Sequence, residues 1–165
     1  MALNSTKGYT LAEAMITVAI VGVLAAMAAP LMTQMNNFWF LTTARNTIQR
    51  DVRASLDTMN RFLRQGQSAT VVIDRISTTA PPSSRITYTS VQGATIKFYQ
   101  SGNKLYMSSG TMVSPLCSSL AYIAFTYPRT DDISLISVAM TTQASTFLGG
   151  KKALQLSIQK VRIMN

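Results

Sequence analysis

A lone carboxylate, Glu13, stands near the start of an otherwise apolar run, KGYTLAEAMITVAIVGVLAAMAAP, from Lys7 to Pro30. A carboxylate in hydrocarbon costs several kcal/mol unless it is paired or sits near the interface. Tyr9 lies four residues earlier. Removal of Met1–Gly8 would give Tyr9 a free α-amine, and a protonated amine from a neighbouring copy could then meet Glu13 where solvation is poor. Such pairing relieves the cost of burying both charges. One chain gains little from it, whereas an assembly of parallel helices gains registry.

Other chemistry is thinly provisioned. The 165 residues include no histidine, one cysteine (Cys117) and six acidic residues. A Ser-His-Asp triad, a Cys-His pair and a structural zinc site are thereby excluded or nearly so. No convergent base, nucleophile and orienting group can be named, so the sequence reads as a non-enzyme with no cofactor. Asp131-Asp132 falls short of the six to eight oxygens that calcium takes, and a polar turn is the preferred reading of that pair. Cys117 has no intramolecular disulfide partner.

The elements that would place Glu13 follow from charge and hydropathy. No charged residue occurs between Glu13 and Arg45, and Ala14 to Met32 holds Thr17 as its one polar side chain. These roughly 19 residues suit the requirement of about 20 for a helix crossing a bilayer. A secretory signal peptide cut near Ala26-Met27-Ala28 is an alternative, which would release a soluble protein. Glu13 inside the apolar region, the sparse positive region and the helical pattern continuing past the supposed cut argue against it.

Lys7-Gly8-Tyr9-Thr10-Leu11-Ala12-Glu13, followed by an apolar run with Gly22 and Pro30, resembles the N-terminus of type IV prepilins and pseudopilins. The resemblance implies cleavage after Gly8 by a prepilin peptidase/methyltransferase, methylation of the Tyr9 amine and an assembly role for Glu13. It further implies unwinding or a kink in the Gly22–Pro30 region. Tyr9 stands where phenylalanine is commoner, and Ala12 is smaller than the usual aliphatic residue.

Beyond Pro30, Leu41, Ala44, Ile48, Val52, Leu56, Met59 and Leu63 recur at spacings of three or four, the stripe of an amphipathic helix. Arg50, Arg53, Asn60 and Arg64 fall largely on other faces, and Gly66 is the expected stop. A helix from Tyr9 to Arg64 would be roughly 84 Å long. Pro30 predicts a kink or local opening near Ala26–Pro30. Phe38-Trp39-Phe40 reads equally as an interfacial aromatic cluster or as the beginning of a contact with the later domain.

Arg85–Val91, Ala94–Gln100 and Lys104–Ser108 read as strands, with turns at Gln92-Gly93 and Ser101-Gly102-Asn103. Leu120–Tyr127, Ile133–Thr142 and Ala153–Ile163 add three more, and Thr70–Asp74 is short and β-prone. The expected fold class is α+β: a long N-terminal helix, membrane-spanning in its first half and amphipathic in its second, packed on an antiparallel β-sheet head. The divisions are a leader at 1–8, a transmembrane and assembly helix at 9–35, its amphipathic continuation at 36–66 and an extracytoplasmic head at 67–165.

The later chain is similar to PulJ-like or PilW-like minor subunits. The similarity rests on Ala124-Phe125-Thr126-Tyr127, the alternation from Ile133 to Met140 and the terminal Val161-Arg162-Ile163-Met164-Asn165. The resemblance implies a minor pilin or pseudopilin of a type IV pilus-like filament or a type II secretion pseudopilus, held in a bacterial inner membrane with its head outside the cytoplasm. Its partners would be other pilin subunits and an inner-membrane assembly platform with a cytoplasmic ATPase. A major pilin is an alternative, though no disulfide can close a C-terminal loop. Loss of Lys7 with the leader leaves fourteen basic against six acidic residues, a formal +8. A DNA-binding minor pilin in DNA uptake is therefore a further alternative. The cations are scattered, however, and a solvated surface is the plainer account.

Overall fold

The computed structural model describes residues 9–76, 83–146 and 152–164, with the backbone alone at 152–154. They form two compact units, one reaching Phe40 and the other beginning at Leu41. A single helix, α1 (Leu11–Arg64, 54 residues), runs through both.

In the first unit the helix starts where Thr10 caps it. The Glu13 amide donates to the Thr10 hydroxyl at 3.3 Å and to its carbonyl at 3.1 Å. Threonine followed three residues later by glutamate is the spacing of a capping box, and an acidic first turn suits the positive end of the helix. Large apolar side chains from Leu11 to Phe40 are all exposed. The hydroxyls within this stretch bond back to their own helix: Thr17 donates to the Ala14 carbonyl and Thr33 to the Pro30 carbonyl, both at 2.8 Å. A hydroxyl satisfied in this way carries little penalty in an apolar setting. The helix continues across Pro30 without a break.

In the second unit the same helix becomes one-sided. Ile48, Val52, Leu56, Met59 and Leu63 are buried, as the three-and-four spacing predicts, while Leu41 and Ala44 are half-buried. Each fully buried side chain of this size contributes about 1.5–3 kcal/mol. Ser55 joins the buried stripe although it is polar. Its hydroxyl lies 2.7 Å from the Asp51 carbonyl and 2.9 Å from the carbonyl of Leu116, so it ties the helix to a strand. Asn60 is half-buried with its side-chain oxygen enclosed, and is less solvated than its position on the helical wheel suggests.

After a single 3-10 turn (Ser68–Thr70) come β1 (Val72–Arg75), β2 (Ser84–Thr89), β3 (Thr95–Ser101), β4 (Lys104–Ser109) and β5 (Met112–Cys117). They pair in sequence order as one antiparallel sheet. Then β6 (Leu120–Thr126), β7 (Leu135–Ser145) and β8 (Lys152–Arg162) make a second antiparallel sheet. The head thus has two sheets, and the chain passes between them at Ser118-Ser119. Backbone bonds stitch the junction, with the Leu120 amide on the Asn103 carbonyl at 2.9 Å and the Gln143 amide on the Ser119 carbonyl at 2.8 Å.

The two-residue alternation places Ile86 and Tyr88 of β2, Ile96 and Phe98 of β3, and Ile136, Val138 and Met140 of β7 in one core with the helix stripe. Register brings Ile86 opposite Phe98 and Tyr88 opposite Ile96. The expected turns fall at Gly93 (φ 83°) and Gly102 (φ 60°), where a side chain would strain the backbone. Strand β5 is an addition to the strands expected from sequence. It contains Pro115, is mostly exposed, and sits at the sheet edge beyond an irregularity between Leu105 and Tyr106. A proline is tolerated there because the edge leaves its missing donor without a partner to disappoint.

Candidate functional site

The residues singled out by sequence lie at the beginning of α1. Gly8 lies outside the described residues. Tyr9 is 82 % exposed, and Glu13 is exposed in the first helical turn. Its backbone is held by Thr10, yet the Glu13 carboxylate has no partner among the described residues. It is the chain's only glutamate. A carboxylate left open at the mouth of an apolar helix can receive one cation from outside the chain, and an amine is well suited to that geometry. The threonine cap was missed by sequence reasoning, although its Thr10-to-Glu13 spacing was a usable signal.

From Leu11 the helix offers exposed apolar surface on every side, and it is long and apolar enough to cross a membrane. Gly22 has no neighbour within 4 Å of where its β-carbon would stand, so no packing among the described residues demands a glycine. Pro30 lacks the amide that would serve the Ala26 carbonyl, which leaves the helix one hydrogen bond short there.

Two acidic groups of the later chain are engaged within the fold. Arg129 holds Asp131 through two hydrogen bonds of 3.1 and 2.8 Å. Asp132 accepts from the Ser134 hydroxyl and amide just before β7, and these bonds hold its carboxyl below the usual carboxylate range. Asp131-Asp132 is therefore a polar turn whose carboxylates already have donors. No group of three metal-ligating side chains converges among the described residues. Cys117 is 4 % exposed, and burial pushes its thiol pKa up, away from the reactive thiolate.

A cavity of about 400 Å³ lies beside the junction between the sheets, lined by Asn103, Ser118, Ser119, Gln143, Ala144 and Ser145. Among the described residues its lining presents amides and hydroxyls and no base. Arg50, Arg53, Arg61 and Arg64 are all exposed on α1, Lys97 and Arg162 are exposed on β3 and β8, and Arg61 lies 5.2 Å over the ring of Phe62 on its own helix. The four helical arginines share one face, in a row at spacings of three and four that the exposed Asp57 interrupts, and the strand cations lie on other elements.

Comparison with known families matches residues 3–29 to the family described as "Prokaryotic N-terminal methylation motif". No curated protein and no solved structure matches the chain. The chain thus carries a prepilin-type N-terminal cleavage and methylation motif, consistent with the type IV pilin and pseudopilin superfamily in general. The helix-and-sheet head and the lack of a converging metal-ligand set among the described residues are consistent with a structural protein.

Proposed function

We propose that the chain is a minor pilin or pseudopilin, a structural subunit of a type IV pilus-like filament or a type II secretion pseudopilus. The methylation motif over residues 3–29 carries this reading. The helix that extends from the motif supports it, being apolar on all sides at first and then continuing into the amphipathic support of a β-sheet head.

In this reading a membrane peptidase/methyltransferase removes residues 1–8 after Gly8 and methylates Tyr9. The helix of 9–35 then waits in the inner membrane with the head outside the cytoplasm. An assembly platform driven by a cytoplasmic ATPase extracts the helix and exchanges its lipid contacts for those of other subunit helices. Glu13 meets the terminal amine of a neighbour and sets axial position. The charge attraction operates in a poorly solvated bundle, where each unpaired charge would be costly. The hydrogen bond missing at Pro30 and the weak helix propensity of Gly22 make the span between them the segment that yields when the bundle packs.

Incorporation of Glu13 variants tests the reading. Glu13→Gln and Glu13→Ala should still insert and lose the leader, while their share in sheared filaments falls about tenfold or more, the cost of roughly one lost charge pair. Wild-type incorporation of both variants would remove the charge-pair role.

A further inference from the structure

We propose that Phe38, Trp39 and Phe40 form an aromatic collar that lies in the outer headgroup layer of the bilayer and fixes the resting depth of α1 before assembly. The inference rests on the membrane-anchored reading above and adds what sets the position of the anchor.

Helix length matches bilayer thickness. The helix begins at Leu11, and the rise from there to Trp39 is roughly 42 Å at about 1.5 Å per residue. A bilayer with its headgroup layers is about 40–45 Å thick. The charge-free stretch from Ala14 to Met32, with Thr17 its one polar side chain, spans roughly 28 Å, close to the hydrocarbon thickness of about 30 Å. Thr33, Gln34, Asn36 and Asn37 come next, all exposed, and the collar lies just beyond them. With the start of α1 at the inner surface, the collar therefore reaches the outer one.

The angular spread of the rings suits a plane. Three consecutive helical residues fan over roughly 200° of the circumference. A groove on a partner protein takes a stripe at spacings of three and four, as the core of the head takes Val52, Leu56, Met59 and Leu63. A planar interface meets the helix all round, and consecutive aromatic residues suit it. Phe38, Trp39 and Phe40 are 69 %, 70 % and 46 % exposed, so no core among the described residues claims them.

Charge does not compete for the anchoring role. The first cation after the apolar run is Arg45, roughly 9 Å of helix beyond Trp39 and outside the headgroup layer when Trp39 lies within it. Depth on the outer side must then be set by the aromatic rings, whose amphipathic character favours the interface.

Trp39 is the only tryptophan in the chain, so its fluorescence reports the collar without labelling. The full-length protein is reconstituted into vesicles of phosphatidylethanolamine and phosphatidylglycerol, and the floated fraction is read. Lipid nitroxides at the headgroup and near the carbonyls should quench Trp39 about twofold or more above a nitroxide near the chain ends, as an interfacial indole requires. The double variant Phe38→Ser, Phe40→Ser should still float, with quenching by the shallow nitroxides reduced about twofold as the anchor loosens. Strongest quenching from the chain ends, or none from any lipid with iodide access equal to that of the unfolded chain, would overturn the collar. Unchanged quenching in the double variant would overturn its role in setting depth. Failure to float would defeat the membrane reading itself, a result separate from the others.

Discussion

The Tyr88 ring occupies the space that a side chain at residue 66 would need. A β-carbon built on Gly66 would lie 2.7 Å from Tyr88 Cδ2 and 3.1 Å from the Leu63 carbonyl oxygen. The helix thus ends where the chain must slip past a buried ring, and the Gly66 backbone is not in the left-handed region. Gly66→Ala is predicted to destabilise the head by about 1–3 kcal/mol, the usual cost of overpacking. Thermal unfolding of the detergent-solubilised full chain should show a lowered midpoint. An unchanged midpoint would mean that the ring gives way.

The same ring carries a hydroxyl buried without a hydrogen-bond partner among the described residues. Leaving such a group unsatisfied costs about 1–3 kcal/mol. Tyr88→Phe keeps the ring and deletes the hydroxyl, so the midpoint at pH 7 should be equal to that of the wild type or higher. Burial also pushes the phenol pKa upward. The folded state therefore holds its proton to higher pH than the unfolded state does. The stability linked to that proton is intact below the ordinary phenol value of about 10 and declines as pH rises above it. Stability curves above that pH should fall more steeply for the wild type than for Tyr88→Phe.

Acid should act through Asp74 and Arg85, which face each other across β1 and β2. The Arg85 Nε donates to Asp74 Oδ1 at 3.0 Å, and a second guanidinium nitrogen reaches Oδ2. Hydrogen bonding from Arg85 holds the Asp74 carboxyl below its ordinary value of 3.8. A depressed carboxylate pKa contributes stability above the unfolded value, and the contribution is lost as pH falls through the folded one. With side chains 39 % and 38 % exposed, the pair is solvent-screened and contributes about 0.2–1 kcal/mol. Asp74→Asn should lower the midpoint slightly at pH 7 and flatten its decline below pH 4. A parallel decline in both proteins would show that the pair contributes nothing.

The range of the forces involved decided which features were legible in the sequence. Glu13 and the helix stripe from Ile48 to Leu63 stood out because charge-free runs and three-and-four spacing are local patterns. The Ile86/Tyr88 and Ile96/Phe98 alternations were legible for the same reason, with Gly93 and Gly102 marking their turns. Strand β5 was hidden because Pro115 signals a break and its outward residues follow no burial pattern. Ser55 had no place in the apolar stripe, since its partner, the Leu116 carbonyl, is distant in sequence. The junction of the two sheets is stitched by backbone bonds at Asn103 and Ser119, which no side-chain pattern encodes. Gly66 was recognised as the stop, but its reason, the Tyr88 ring, is a tertiary contact.

Assembly through Glu13 requires that Tyr9 become the first residue. Intact mass and N-terminal sequencing of protein extracted from membranes address this directly. The expected species begins at a methylated Tyr9 and retains Glu13 and the whole apolar helix. A chain still beginning at Met1 in normal filaments, or a mature protein beginning at Ala29, would contradict it.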